Sequence, residues 1–383
     1  MLGCCCLVFV GLAVASAPRA SGGSGRPGWA YLAAGTGALA CCLVGALWLR
    51  RGPVSLAAVL AVAAAIQLLP AVSPLLFSKD AYSYWAYGRI AAIHERNPYR
   101  ALPAAFPADP AVRAMARGWR RTTSVYGPLF SVVSEGTVVA GDSPLAAAKF
   151  WQLTAAVGVV GLAVLAASLS PVPAFAAALV GWNPLFALHF GGGGHNDVWM
   201  MVLLLGGLAA ERRSRARLAG ALWACAVAVK WIPLMLLPLR AGGSRRASLS
   251  LPAFTGTVAL IAVGAFLLYG GGWLRAAAPL VRDAGVGTRT GVPHLLHAIG
   301  LPAAAATAVT LTALTAAYGL LLLRARRGRP RLGLAAGLLL CTTPWLFPWY
   351  AVWALPLAAA EDDRTALGLA TALTAYLLIV YRV

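Results

Sequence analysis

Charge is what this 383-residue chain lacks. Only 11% of its residues are Asp, Glu, Lys or Arg, against about 25% in a soluble globular domain. So few charges cannot solvate a globule of this size, which excludes an ordinary cytosolic enzyme. A hydrophobic content of 60% excludes a disordered chain. Acid is the scarcer sign, with 11 Asp and Glu against 31 Lys and Arg, for a net charge of +20. Lysine occurs three times, at Lys79, Lys149 and Lys230. There is no disulfide framework either. Five of the seven cysteines sit in Cys4-Cys5-Cys6 and Cys41-Cys42, and adjacent cysteines within apolar runs suit neither a bridge nor a zinc site. No internal repeat is visible.

What is present is hydrophobicity in long runs, with a mean hydropathy of +0.77. Apolar segments recur from Met1–Ala17 through Trp29–Leu49, Val54–Phe77, Phe150–Ser170, Val172–Phe190, Leu218–Leu239, Leu249–Tyr269 and Pro302–Leu323 to Leu367–Tyr381. Runs of about 20 residues read as membrane spans. The expectation is an all-α, polytopic membrane protein of about 11–13 membrane segments, folded as a single domain over residues 1–383. Met1–Ala17 resembles a signal peptide but lacks a basic leader, and it reads as a first membrane helix.

With spans in place, the arginines become a topology signal rather than a nucleic-acid footprint. Arg50-Arg51, Glu211–Arg217, Arg240–Arg246 and Arg324–Arg331 are the dense basic loops, which the positive-inside rule puts in the cytoplasm. A straight helix between Arg217 and Arg240 would leave one basic flank outside. A hairpin turning at Lys230-Trp231-Ile232-Pro233 keeps both flanks inside, and proline breaks a helix at such a point. The same parity puts Gly191–Asp197, Gly270–Gly300 and Pro344–Trp349 outside, together with a long polar loop, residues 78–127. It requires that Pro128–Gly141, too short to span, does not cross.

The unusual polar residues then share the outer end of the bundle. Ionisable groups at membrane depth are costly unless paired or solvated, so they mark functional sites by default. Asp80 reads either as an interfacial helix cap or as a general base beside a row of aromatics that includes Tyr84. Gly191-Gly192-Gly193-Gly194-His195-Asn196-Asp197 reads either as a flexible turn with a capping Asp or as a bare backbone that a ligand approaches closely. In the second reading, Asn196 or Asp197 caps a helix whose positive end holds phosphate. Lys230 is a snorkelling lysine or a phosphate partner. His294 and His297 have i, i+3 spacing but no adjacent carboxylate cluster, so no metal is expected. Asp362-Asp363 resembles a solvated helix end. No Asp-x-Asp motif lies on the outward segments, which argues against an enzyme that holds a nucleotide-sugar diphosphate through a metal.

These residues carry a resemblance. Asp80-Ala81-Tyr82-Ser83-Tyr84, Gly88-Arg89, Asn97-Pro98-Tyr99, Trp119 and Tyr126-Gly127-Pro128-Leu129 come first. Trp182-Asn183-Pro184-Leu185, Gly193-Gly194-His195-Asn196-Asp197, Val229-Lys230 and Pro348-Trp349-Tyr350 follow in order. The set, from about Ser78 to Pro356, resembles the actinobacterial polyprenol-phosphate-mannose-dependent mannosyltransferases, part of the membrane-embedded GT-C glycosyltransferases. The resemblance implies transfer of a mannosyl or other hexosyl unit from a polyprenyl-phosphate sugar to a glycan or glycolipid acceptor on the extracytoplasmic face. It implies a cell-membrane enzyme surrounded by membrane lipids, an inverting displacement, and Asp80 as the base. No cofactor, metal or nucleic acid is expected. Lys79, Arg89, His195 and Lys230 are the candidate donor-phosphate ligands, since a departing lipid phosphate needs cations. Tyr84, Tyr126, Asn196, Asp197, Trp349 and Tyr350 are the candidate sugar and acceptor contacts. A transporter or a flippase of a lipid-linked or small anionic substrate is the alternative. A transporter predicts related halves, which the sequence does not show.

Overall fold

The computed structural model describes residues 1–20, 28–52, 54–138, 141–241, 249–279 and 288–380. Parts of the Arg240–Arg246 run and of the Gly270–Gly300 loop, and Tyr381 at the end of the last apolar segment, lie outside the described residues. The chain is helical, and the β pairing among the described residues is one isolated antiparallel bridge between Arg19 and Leu76. In lipid the backbone must satisfy its own hydrogen bonds, and a helix does this within one segment.

The helices run α1 (Leu2–Ser16), α2 (Trp29–Trp48), α3 (Leu56–Leu68), α4 (Asp80–Ala92), α5 (Pro110–Ala114), α6 (Pro128–Gly136), α7 (Pro144–Leu169) and α8 (Pro173–Gly181). Then come α9 (Pro184–Phe186), α10 (Asp197–Arg212), α11 (Ala216–Val229), α12 (Pro233–Ala241) and α13 (Leu251–Tyr269). The last are α14 (Val292–Ala298), α15 (Ala303–Arg326), α16 (Leu332–Thr342), α17 (Leu355–Glu361) and α18 (Arg364–Val380). Four helical stretches, Trp29–Trp48, Pro144–Leu169, Leu251–Arg275 and Ala303–Arg326, are long and apolar enough to cross a membrane. Pro173–Gly181 with Pro184–Gly191, bent by 40°, makes a fifth if the pair is one span. The membrane segments expected from the sequence therefore divide into a few full-length helices and many short ones.

The short helices end at prolines, and buried side chains take up the backbone groups that each break frees. At Trp182-Asn183-Pro184, Asn183 Oδ1 accepts from the N–H groups of Leu185 (3.0 Å) and Phe186 (3.3 Å) and so caps α9. Gln67 on α3, wholly buried, donates to the Gly181 carbonyl at 2.9 Å and the Asn183 carbonyl at 3.2 Å. Trp182 Nε1 donates to Val59 O at 3.1 Å. Lys149 on α7 donates to Ala71 O (2.5 Å) and Ser73 O (2.6 Å), where α3 gives way to the chain entering the outer loop. Irregular backbone at this depth is tolerated because protein groups replace the missing helix bonds.

The hairpin expected at Lys230 is present. α11 ends at Val229, Lys230 is extended, and α12 begins at Pro233. Arg240 near the end of α12 returns to Glu211 at the end of α10, with Nε 2.5 Å from Oε2. The two flanks of the hairpin are thus at one end and Lys230 is at the other. Arg50 pairs with Asp362 and Arg331 pairs with Asp363, so the acidic dipeptide caps basic loops.

The long loop is a folded unit. α6 has nine residues and ends at Gly136, about 14 Å of helix, too short to cross. It lies so close to α4 that a Cβ on Gly88 would sit 2.0 Å from Ser134 O, and α11 comes so close that a Cβ on Gly127 would sit 2.0 Å from Ala228 O. Asn97 Oδ1 accepts from Tyr99 N at 2.9 Å, and the Tyr99 hydroxyl donates to Tyr126 O at 3.0 Å. Gly88→Ala should therefore pry α4 from α6. We expect a stability loss of at least about 1–3 kcal/mol, as overpacking costs, read as a lowered midpoint of thermal unfolding in detergent.

Candidate functional site

Asp80 is the first residue of α4, so its carboxylate stands at the helix N-terminus, where negative charge is favoured. Its side chain is 21% exposed and opens on a cavity of about 670 Å³. The long loop supplies Lys79, Tyr84, Trp119 and Tyr126 to the lining. The start of α10 supplies Asn196 and Asp197, and the hairpin tip supplies Lys230, Trp231 and Ile232. The turn before α17 supplies an aromatic wall of Trp345, Phe347, Trp349, Tyr350 and Trp353. Segments more than 250 residues apart in sequence thus close one space. Its polar groups gather around Asp80, Asp197 and Lys230, and the rest of its wall is apolar.

Burial pushes the Asp80 carboxyl up. The neighbouring His195 and Ser78 side chains and the charge of Lys230 outweigh that effect and hold it below the usual carboxylate range. It is therefore an anion near neutral pH, able to accept a proton.

Asp197 is buried and held from two sides. Lys230 Nζ lies 2.6 Å from Asp197 Oδ1, and Trp353 Nε1 donates to the same oxygen at 2.7 Å. The ammonium also lies over the rings of Tyr350 (5.0 Å) and Trp353 (5.5 Å). Asp197 Oδ2 and Asn196 Nδ2 are buried without a hydrogen-bond partner. They are an unfilled acceptor and an unfilled donor on neighbouring residues that line the cavity, though both atoms are closed off from solvent in this structure. Leaving such groups unsatisfied costs about 1–3 kcal/mol each.

Of the residues singled out in the sequence, Asp80, Lys79, Tyr84, Tyr126, Asn196, Asp197, Lys230, Trp349 and Tyr350 line this cavity. His195 and Arg89 do not. Arg89 Nε binds Asp109 Oδ2 at 2.9 Å and Nη1 reaches Asp142, so its guanidinium is committed to carboxylates of the loop. His94 also bonds Asp109, at 2.8 Å, and stacks on Phe106. Asp109 further caps α5 through Ala111 N at 2.8 Å. This network knits the loop. Glu135 meets the Tyr269 hydroxyl. His297 Nδ1 lies 2.8 Å from Leu301 O.

The glycine run also differs from its sequence reading. It is buried, and its space is taken by protein: a Cβ on Gly191 would strike Gln67 O at 2.2 Å, and one on Gly192 would meet Leu188 O at 2.3 Å. Its N–H groups are not bare, since Gly192 donates to Ala187 O and Gly194 to Phe190 O. The glycines serve close packing. Asn196 precedes α10 as its N-cap but makes no side-chain capping bond.

Sequence reasoning missed Trp353 as the second donor to Asp197, and missed Trp231 and Trp345 in the wall. One signal for the ion pair was available. A lysine and an aspartate, each alone in an apolar segment at the same depth, are stable there mainly as partners.

The family model described as "Alpha-(1->6)-mannopyranosyltransferase, N-terminal domain" matches residues 1–242. The chain is 28% identical over 351 residues to "Alpha-(1->6)-mannopyranosyltransferase A" of Mycobacterium tuberculosis, covering 81% of this chain and 68% of that protein. It is 31% identical over 181 residues to "Alpha-(1->6)-mannopyranosyltransferase A" of Corynebacterium glutamicum, covering 44% and 36%. A probable alpha-(1->6)-mannopyranosyltransferase of Mycolicibacterium smegmatis is 33% identical over 144 residues, covering 36% and 25%. The chain thus spans about two thirds of the first of these proteins and a quarter to a third of the other two. No solved structure matches.

Proposed function

Because the chain belongs to the alpha-(1->6)-mannopyranosyltransferase family, and so is a membrane glycosyltransferase, we propose that it transfers a mannosyl unit from a polyprenyl-phosphate sugar to a glycan or glycolipid hydroxyl at the extracytoplasmic face. In this reading Asp80 removes the acceptor proton as the acceptor oxygen attacks the anomeric carbon. The bond from that carbon to the phosphate oxygen breaks on the opposite side, which inverts the centre. The phosphate leaves as an anion, so no general acid is required.

The observation that carries the reading is the cavity's division. The Asp80 carboxylate, Lys79, Lys230, Asn196 and Asp197 line one region, and an aromatic and aliphatic wall forms the rest. Sugar stacks on the aromatics, and the apolar side suits a prenyl chain. In this reading Lys79 and Lys230 are the cations that meet the phosphate, and Asn196 and Asp197 read sugar hydroxyls. The names of the relatives carry an α-(1→6) linkage, and we extend it to this chain.

Membranes carrying the protein, given radiolabelled polyprenyl-phosphate-mannose and α-mannoside acceptors, should yield a labelled product. Release of label without any acceptor adduct would defeat the reading. The outward orientation is separately testable in a cysteine-free background. A thiol at Arg96 should react with an impermeant reagent in intact cells, and one at Arg213 only after permeabilisation. Labelling of both from outside would invert the topology.

A further inference from the structure

We propose that His195 is a positioning residue for the Asp80 carboxylate: it stands behind the base, never meets the donor phosphate, and holds one carboxylate oxygen so that the other faces the acceptor. This rests on the reading of Asp80 as the base.

His195 is 0% exposed and is not among the residues that line the cavity. Its Nδ1 lies 3.4 Å from Asp80 Oδ2, close but without hydrogen-bond geometry in this structure, and such contacts tighten when substrate binds. The ring is clamped. One face stacks on Trp349, with centroids 3.7 Å apart and planes at 14°, and His189 stands 6.1 Å away. A Cβ on Gly193 would lie 3.0 Å from Cδ2 and 3.1 Å from Nε2 of the imidazole, so glycine leaves the ring its room. Gly194, at φ +70°, turns the chain in a conformation that favours glycine. Neither ring nitrogen makes a hydrogen bond in this structure, and the carboxylate beside the ring is Asp80, 3.4 Å from Nδ1. In the proposal Nδ1 carries the hydrogen and turns it to Asp80 as the site closes.

The proton passes from the acceptor hydroxyl to the free oxygen of Asp80. The new C–O bond forms, and the electron pair of the breaking C–O bond leaves on phosphate. The His195 N–H stays in place throughout. The other groups that face Asp80 are Lys79, Ser78, Tyr84 and Tyr87 from its own segment, Tyr126 from the loop turn, Asp197 from α10 and Lys230 from the hairpin.

Three variants of the full-length protein test this. His195→Phe keeps a stacking ring and removes the donor. His195→Asn puts an amide nitrogen near Nδ1, and His195→Gln puts one nearer Nε2. Expected for Phe and Gln is a fall in kcat of roughly 10- to 100-fold, the size of a lost hydrogen bond to a charged group, with the donor KM unchanged. The acid limb of kcat/KM should also move to higher pH, because Asp80 ionises less readily without the bond. Asn should recover most of both. His195→Gln keeps the test alive if His195→Phe does not fold. A raised donor KM with an unmoved acid limb would put His195 on the phosphate. Unmoved kinetics in a folded variant would make it a packing residue. Either result overturns the proposal. Asp80→Asn separates the levels: an active Asp80→Asn defeats the base reading itself, whereas an inactive Asp80→Asn beside an unmoved His195→Phe defeats the positioning role alone.

Discussion

Asp80→Asn should lower transfer by about 100- to 10,000-fold, the usual range for a lost general base, while the protein folds and binds donor as before. The substitution keeps shape and the helix-terminal position and removes only the proton acceptor. Other outer carboxylates do not compete for the role. Asp109 serves Arg89, His94 and the α5 cap. Glu135 is taken by Tyr269. Glu95 is exposed, at a positive backbone φ of 52°. Asp197 shares the cavity but is neutralised by Lys230 and Trp353. Single-turnover transfer with labelled donor, alongside donor binding measured directly, is the check. Wild-type transfer by a well-folded Asp80→Asn would move the role to Asp197.

Lys230→Met should cost both stability and activity, and a double variant should separate the two. Removing the ammonium leaves Asp197, 1% exposed, as an uncompensated buried charge. Breaking such a pair from one side costs about 3–5 kcal/mol. Lys230→Met with Asp197→Asn removes the charge while keeping an oxygen for the Trp353 N–H, so the melting temperature should return towards wild type. Transfer should not return, because the cation and the carboxylate we propose for the phosphate and the sugar are both gone. Recovery of transfer together with stability would reduce Lys230 to a structural counter-ion.

The sequence was informative wherever the physics is local. Apolar runs gave helices, Pro233 gave the hairpin, and scarce charges at membrane depth marked Asp80, Asp197 and Lys230. It was uninformative where the outcome depends on what packs opposite. Four consecutive glycines look the same whether a ligand or Gln67 and Leu188 occupies the space beside them. Arg89 in a basic loop looks like a free cation until Asp109 and Asp142 close on it. His195 belongs to a motif whose three side chains have different surroundings: the first faces inward behind the base, and the next two face the cavity. No spacing rule distinguishes them, because the difference lies in the turn at Gly194 and in the ring of Trp349.

The bond from Trp353 to Asp197 joins residues 156 positions apart, and it bears on modularity. The region that carries the family signature ends at residue 242, which suggests a separable module. The site does not respect that boundary. Cut there, the first part would retain Asp80, His195 and Lys230 but lose the aromatic wall, the second hydrogen bond to Asp197 and the ring that clamps His195. The cavity is therefore built by the two parts together, and a cut at the end of the signature would open it.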